Sequence, residues 1–242
     1  MVTTSEILDL REHGDRVRAV EQLIRGEIIA SGFNGIFVLL GDADEPSVPD
    51  KVAAAKGRPQ AKGVALVCAP EFLGEHVDRE TRALRYDYPL ERVQALQREL
   101  HALGVILPAA MAGAPFHVVQ SRTILNVWTE QPPDAPLRRL IHELRRRGKR
   151  ALAGTSANLT GQPTITEPDE VVAVFGRRVS AILLDDFDEV PSVRRRSASI
   201  VDFTQPRPHL FREGSVPADE LAAELRSRRL GELVIGPDVR RV

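Results

Sequence analysis

Apolar residues fall along the chain in blocks whose spacing switches between helical and extended. Across residues 16–29, Val17, Val20, Leu23, Ile24 and Ile28 recur at three- and four-residue intervals, which predicts an amphipathic helix. The run Gly35-Ile36-Phe37-Val38-Leu39-Leu40 carries no polar side chain and reads as a buried strand. An acidic, proline-containing loop over residues 41–49 follows it. A short alanine-rich helix is expected over about residues 50–56, and 63–68 is a second buried strand. Strand, helix, strand in that order predicts a crossover unit with parallel strands.

In residues 89–103, Leu90, Val93, Leu96, Leu100 and Leu103 share one helical face, with Gly104 as the stop. Residues 105–107, 116–119 and 123–128 are strand candidates whose short turns imply antiparallel pairs. Asp134 is placed to cap a helix running to about Arg147, with Pro136 in its first turn. Thr166 is expected to cap the next helix and Gly176 to end it. Residues 181–184, 199–203 and 209–211 complete the strands, and Ser215-Val216-Pro217 opens a last helix. The order is that of a mixed α/β domain over residues 1–216, with 217–242 as a C-terminal helix and polar tail.

Composition narrows the setting. The 242 residues are 43% hydrophobic and 28% charged, the balance of a globular chain with a sizeable core. Lysine plus arginine (33) nearly cancels aspartate plus glutamate (34), so any hold on nucleic acid must come from local patches. The single Cys68 lies in an apolar run and fits a reducing compartment. No apolar run approaches the length of a membrane span, and the N-terminus carries charge where a signal peptide has its apolar core. A cytoplasmic protein with no membrane partner is expected.

Candidate chemistry concentrates in two places. Gly154-Thr155-Ser156-Ala157-Asn158-Leu159-Thr160-Gly161 sets hydroxyls and a carboxamide on a loop at a strand end. Its short side chains suit an anion or nucleotide, because backbone N–H groups can approach closely; the same residues also make ordinary turns. Lys56, Arg58 and Lys62 cluster around Gly57 and Pro59, which suits phosphate or carboxylate or, equally, stabilises a helix C-terminus. A second basic concentration (Arg138, Arg139, Arg145, Arg146, Arg147, Lys149, Arg150) meets only Glu143 nearby. It reads as a solvated helix face or an RNA surface, without aromatic residues for base stacking. Arg194-Arg195-Arg196 is a similar basic loop. The six histidines show no metal-ligand spacing, and the acidic run 185–189 reads as a solvated loop, so no resident metal is expected.

Several of these segments, in order, resemble the YrdC-like family, the threonylcarbamoyl-AMP synthases. Lys56-Gly57-Arg58-Pro59 and Lys62-Gly63-Val64-Ala65-Leu66-Val67 resemble its Lys-x-Arg turn and following strand. Thr155-Ser156-Ala157-Asn158-Leu159-Thr160-Gly161 resembles its Thr-Ser-Ala-Asn-x-Ser-Gly signature, and Ser199-Ile200-Val201-Asp202 with Leu210-Phe211-Arg212-Glu213-Gly214 its last strands. The resemblance spans about residues 16–216. It implies an open, twisted sheet of mixed parallel and antiparallel strands, with flanking helices, around a basic cavity. It implies ATP, L-threonine and bicarbonate as substrates, Mg²⁺ accompanying ATP, and a product that feeds threonylcarbamoyladenosine formation at position 37 of tRNA. By position, Lys56, Arg58 and Lys62 would hold phosphate or carboxylate groups. Thr155, Ser156, Asn158 and Ser199 would line the nucleotide side, and Arg212 would contact phosphate.

The sequence also departs from that pattern. Phe37 to Asp44 stands where the family has a Tyr-Pro-Thr-Asp/Glu-Thr-x-Tyr-Gly-type loop, and its two acids would repel anionic substrates if they faced the cavity. An arginine expected near Val127 is missing, and Ala198 replaces a serine. Two functions are therefore carried forward: a divergent synthase, and a catalytically degenerate protein that binds a nucleotide, tRNA or double-stranded RNA as a regulator or partner subunit. Altered substrate choice is a third.

Overall fold

A computed structural model describes residues 4–58, 64–78, 88–100, 103–110, 119–121, 124–128, 135–184 and 194–241. In chain order the elements begin β1 (Glu6–Asp9), α1 (His13–Ile24), β2 (Ile29–Phe33), β3 (Ile36–Asp42), α2 (Val48–Ala55) and β4 (Ala65–Val67). A 3-10 helix (Pro70–Glu75), α3 (Leu90–Glu99), β5 (Leu103–Leu107), β6 (Val119–Ser121) and β7 (Ile124–Trp128) follow. Then come α4 (Pro136–Arg146), β8 (Leu152–Ser156), α5 (Pro168–Phe175), β9 (Ala181–Leu184) and β10 (Ser199–Asp202). The chain closes with β11 (His209–Glu213), α6 (Ala218–Ser227) and β12 (Val234–Arg241).

The strands form one mixed sheet in the order β1-β9-β2-β3-β8-β4-β7-β5-β10-β11-β12, with β6 paired to β7. Side chains alternate between its faces, and each face has its own core. Phe37 and Leu39 of β3, Leu66 of β4 and Ile182 of β9 pack with Val52, Val93, Leu96, Phe175 and Leu221 from α2, α3, α5 and α6. Val38 and Leu40, Val67 and Leu183 pack instead with Val20 and Leu23 of α1 and with Leu140, Ile141 and Leu144 of α4. Burial on both faces explains why these strands read as unbroken apolar runs.

β3 and β4 do run in the same direction, as the crossover predicts. They are not neighbours, because β8 lies between them, antiparallel to both. The helix expected over 16–29 begins earlier and ends at Ile24; Ile29 already belongs to β2, which hairpins onto β3. Asn34 (φ 48°) and Gly35 (φ 78°) make that turn, both left-handed, which matches the right-handed twist of the two strands. Gly104 does not stop α3: Leu100 is already extended, and Leu103 and Gly104 open β5. α4 is preceded by Ala135 with no side-chain cap, and Asp134 lies outside the described residues. Thr166 does not cap α5; Glu167 occupies that position, and the Thr166 hydroxyl donates to its carboxylate (3.2 Å). Gly176 does end α5, where a Cβ would stand 2.5 Å from the Val172 carbonyl oxygen. Leu221 and Leu225 enter the first core with Leu230, and the polar tail is β12, parallel to β11 at the sheet edge.

Candidate functional site

β8 leads the Thr155–Ser156 pair to its end against β3, with Leu39 opposite Thr155 and Val38 opposite Ser156. Gly154 permits that close packing, since a Cβ there would stand 2.6 Å from Val67 Cγ2. The loop beyond is sewn to β3: Ala157 N donates to Phe37 O (2.8 Å), Phe37 N to Ile165 O (2.9 Å), and Ile165 N to Ala157 O (3.0 Å). Asn158 closes the loop, its Nδ2 donating to Leu159 O (3.0 Å) and Gln162 O (2.8 Å). Its Oδ1 accepts from the Ser156 hydroxyl (2.8 Å).

Lys56 follows the last turn of α2 and is 4% exposed. Its Nζ donates to Asn158 Oδ1 (2.7 Å) and to the Ser156 carbonyl oxygen. The loop grips back, because Thr160 N (3.1 Å) and Thr160 Oγ1 (3.3 Å) both donate to Lys56 O. Burial, with the Arg58 charge adding to it, pushes the Lys56 pKa down to about 7. Burial likewise lowers the pKa of Arg58. Among the described residues neither cation has a carboxylate partner, so the pair projects uncompensated positive charge. That is what a phosphate or carboxylate site requires.

A second hydroxyl bridge extends the cluster across the molecule. Thr164 Oγ1 and Ser197 Oγ lie 2.7 Å apart, and next to Ser197 the Ala198 carbonyl oxygen accepts from Arg212 Nε (2.9 Å). The loop after β8 thus reaches the start of β10 and, through it, the Arg212 of β11. Sequence reasoning missed Thr164 and Ser197, which carry no motif of their own. Ser199 is placed otherwise. Its fully buried hydroxyl donates to Val216 O (2.6 Å) and accepts from Gly214 N (2.8 Å) and Val216 N (3.0 Å), fastening the turn after β11. Lys62 lies outside the described residues, as does the acidic run 185–189.

A Sua5/YciO/YrdC family model, described as "Telomere recombination", matches residues 132–214. A threonylcarbamoyl-AMP synthase of Vibrio campbellii is 29% identical over 167 residues, 69% of this chain and 84% of that one. The structure of P. abyssi Sua5 complexed with L-threonine superposes with a TM-score of 0.76 at 21% identity, over 97% of this chain. This chain spans 63% of that structure's chain. E. coli YciO matches with a TM-score of 0.65 at 18% identity, over 87% of this chain and 94% of its own.

The chain has the fold of the YrdC-like family and is similar to that family's model over residues 132–214. Against that family's pattern, the altered segment at the end of β3 shows how its acids are handled. Asp42 is 1% exposed and meets Lys149 Nζ at 2.5 Å. Asp44 is gripped by Arg150 through Nε (3.0 and 3.3 Å) and Nη2 (2.5 Å). Burial opposes the Asp44 charge, but the Arg150 hydrogen bonds and charge outweigh it and hold the carboxyl below its usual range. Neither acid is left as a bare negative charge. The basic face of α4 is likewise matched from elsewhere in this YrdC-like fold. Arg138 and His142 meet Glu71 (2.7 and 2.8 Å), and Arg145 meets Glu75 (2.9 Å) while stacking 3.9 Å from the Phe72 ring centre. Arg194 of the later basic loop pairs with Glu220 (3.1 Å).

Proposed function

We propose that this protein is a divergent threonylcarbamoyl-AMP synthase, taking ATP, L-threonine and bicarbonate and releasing pyrophosphate. One observation carries the reading: a buried lysine, Lys56, with Arg58 beside it, held by Ser156 and Asn158 and lacking a carboxylate partner among the described residues. The Vibrio relative's name and the L-threonine bound by the P. abyssi protein support the same substrate class. In this reading Lys56 and Arg58 offset the charge that builds on the departing pyrophosphate. Thr155, Ser156 and Asn158 fix the nucleotide against the loop, and Arg212 reaches its phosphates from the far side. Mg²⁺ would accompany the nucleotide and offset part of its phosphate charge. The product would feed threonylcarbamoyladenosine formation at position 37 of tRNA.

ATP- and threonine-dependent pyrophosphate release tests this. Turnover in the wild type that Lys56→Ala abolishes is the expected result; wild-type release at background overturns it. The second reading, a degenerate protein that binds nucleotide, tRNA or double-stranded RNA without turnover, is favoured by one feature. At the end of β3 and just beyond it, paired acids stand where the family pattern has hydroxyls. Saturable nucleotide binding without pyrophosphate release would select it.

A further inference from the structure

Outside the Lys56 cluster, a groove of about 950 Å³ opens where the polar stripe of α1 meets α2 and the turn between α5 and β9. Five cations line it against three carboxylates. Two of those cations are tied down: Arg18 by Glu6 (3.1 Å) and Asp15 (2.7 Å), Lys51 by Glu27 (3.5 Å) and the Gly26 carbonyl oxygen (2.6 Å). The others are not spent this way. Arg25 has only a 3.8 Å approach to Glu21, and exposed Arg177 makes no ion pair or hydrogen bond among the described residues. Arg178 donates to the Ala55 carbonyl oxygen (3.2 Å). Between them an apolar strip of Ile28, Ala54, Ala55 and Val179 runs beside the polar Thr4, Gln22 and Ser180.

We propose that this groove is a second ligand site, separate from the Lys56 cluster, for a nucleoside phosphate. The phosphate fits Arg25, Arg177 and Arg178, which have donors to spare. The base fits the apolar strip, and the rim carboxylates of Glu21 and Glu27 are acceptors for ribose hydroxyls. The site is wired to the first one. Arg178 bonds the last carbonyl of α2, and the next residue is Lys56. A phosphate that draws Arg178 away loosens the helix end that positions Lys56, so occupancy of the groove weakens anion binding there, and the reverse holds equally.

Titration of the full chain with ADP tests this by calorimetry, on wild type, Lys56→Ala and the double variant Arg25→Ala, Arg177→Ala. Both arginines are exposed, so their loss leaves the fold intact. Two equivalents of ADP on wild type and one on each variant is the expected result, with the groove affinity falling at least about tenfold in the double variant. Wild-type binding by the double variant overturns the groove site while leaving the Lys56 reading standing. Loss of all binding in the double variant with none in Lys56→Ala supports the groove and sinks the Lys56 reading instead. Inorganic pyrophosphate binding the groove as tightly as ADP overturns the nucleoside assignment, and so does a short RNA duplex that binds where ADP does not.

Discussion

Lys56 Nζ has two oxygen acceptors, yet burial and the Arg58 charge still disfavour its charged form. Its pKa of about 7 lies below the 10.5 of an unfolded lysine, so between those values the unfolded chain holds the extra proton. Stability therefore rises with pH across that window, and Lys56→Met should remove this slope from denaturation curves taken at pH 6 to 10. Ligand phosphates act in the opposite sense, favouring the charged amine. Nucleotide binding should take up a proton, and affinity should fall by up to about tenfold per pH unit above 7. Isothermal titrations in buffers of different ionisation enthalpy read that proton directly. Ser199 is a different kind of residue, despite standing in the same family pattern. Ser199→Ala leaves a buried and a half-buried N–H donor and a carbonyl without their partner, and should cost about 1–3 kcal/mol in a urea melt. The sequence alone offers no way to separate the two roles, because a hydroxyl that binds a ligand and one that ties a turn are written with the same letter.

At the level of elements, charge was the least legible property. The cations of α4 look unopposed because Glu71 and Glu75 belong to a 3-10 helix far back in the chain. The acids Asp42 and Asp44 look repulsive because Lys149 and Arg150 follow a later helix. Arg150→Ala should cost about 1 kcal/mol, since the pair is partly exposed. It should also alter the acid limb of stability. Asp44 is lowered from 3.8, so its contribution is present above that pH and lost as pH falls through the lowered value. Thermal melts from pH 2 to 6 should show that limb flatten in the variant. The β2–β3 hairpin was written in the sequence as Asn34-Gly35 between apolar runs. Ile28 continues the helical spacing of α1 and hid it. β12 had no such signal: Gly236, Pro237 and a register shift against β11 break any period, and only pairing makes it a strand.

At the scale of the molecule, the two-sided sheet was legible from runs such as residues 35–40, which only burial on both faces explains. The C-terminal segment was not, because its few apolar residues look like a tail until they meet the core. Leu225 is fully buried on α6, and Leu225→Ala should cost about 2–5 kcal/mol, read as a lowered Tm of the whole chain and not of a separate unit. The position of β8 has a consequence for how the protein comes into being. Until residues 152–156 have been made, β3 and β4 face each other across an empty slot, each with a bare row of amide and carbonyl groups beside strongly apolar side chains. The strand that ends in the signature loop is also the one that fills this slot. A nascent chain therefore carries these open edges until residue 156 has been made, and completing the signature loop and ending that exposure are one event.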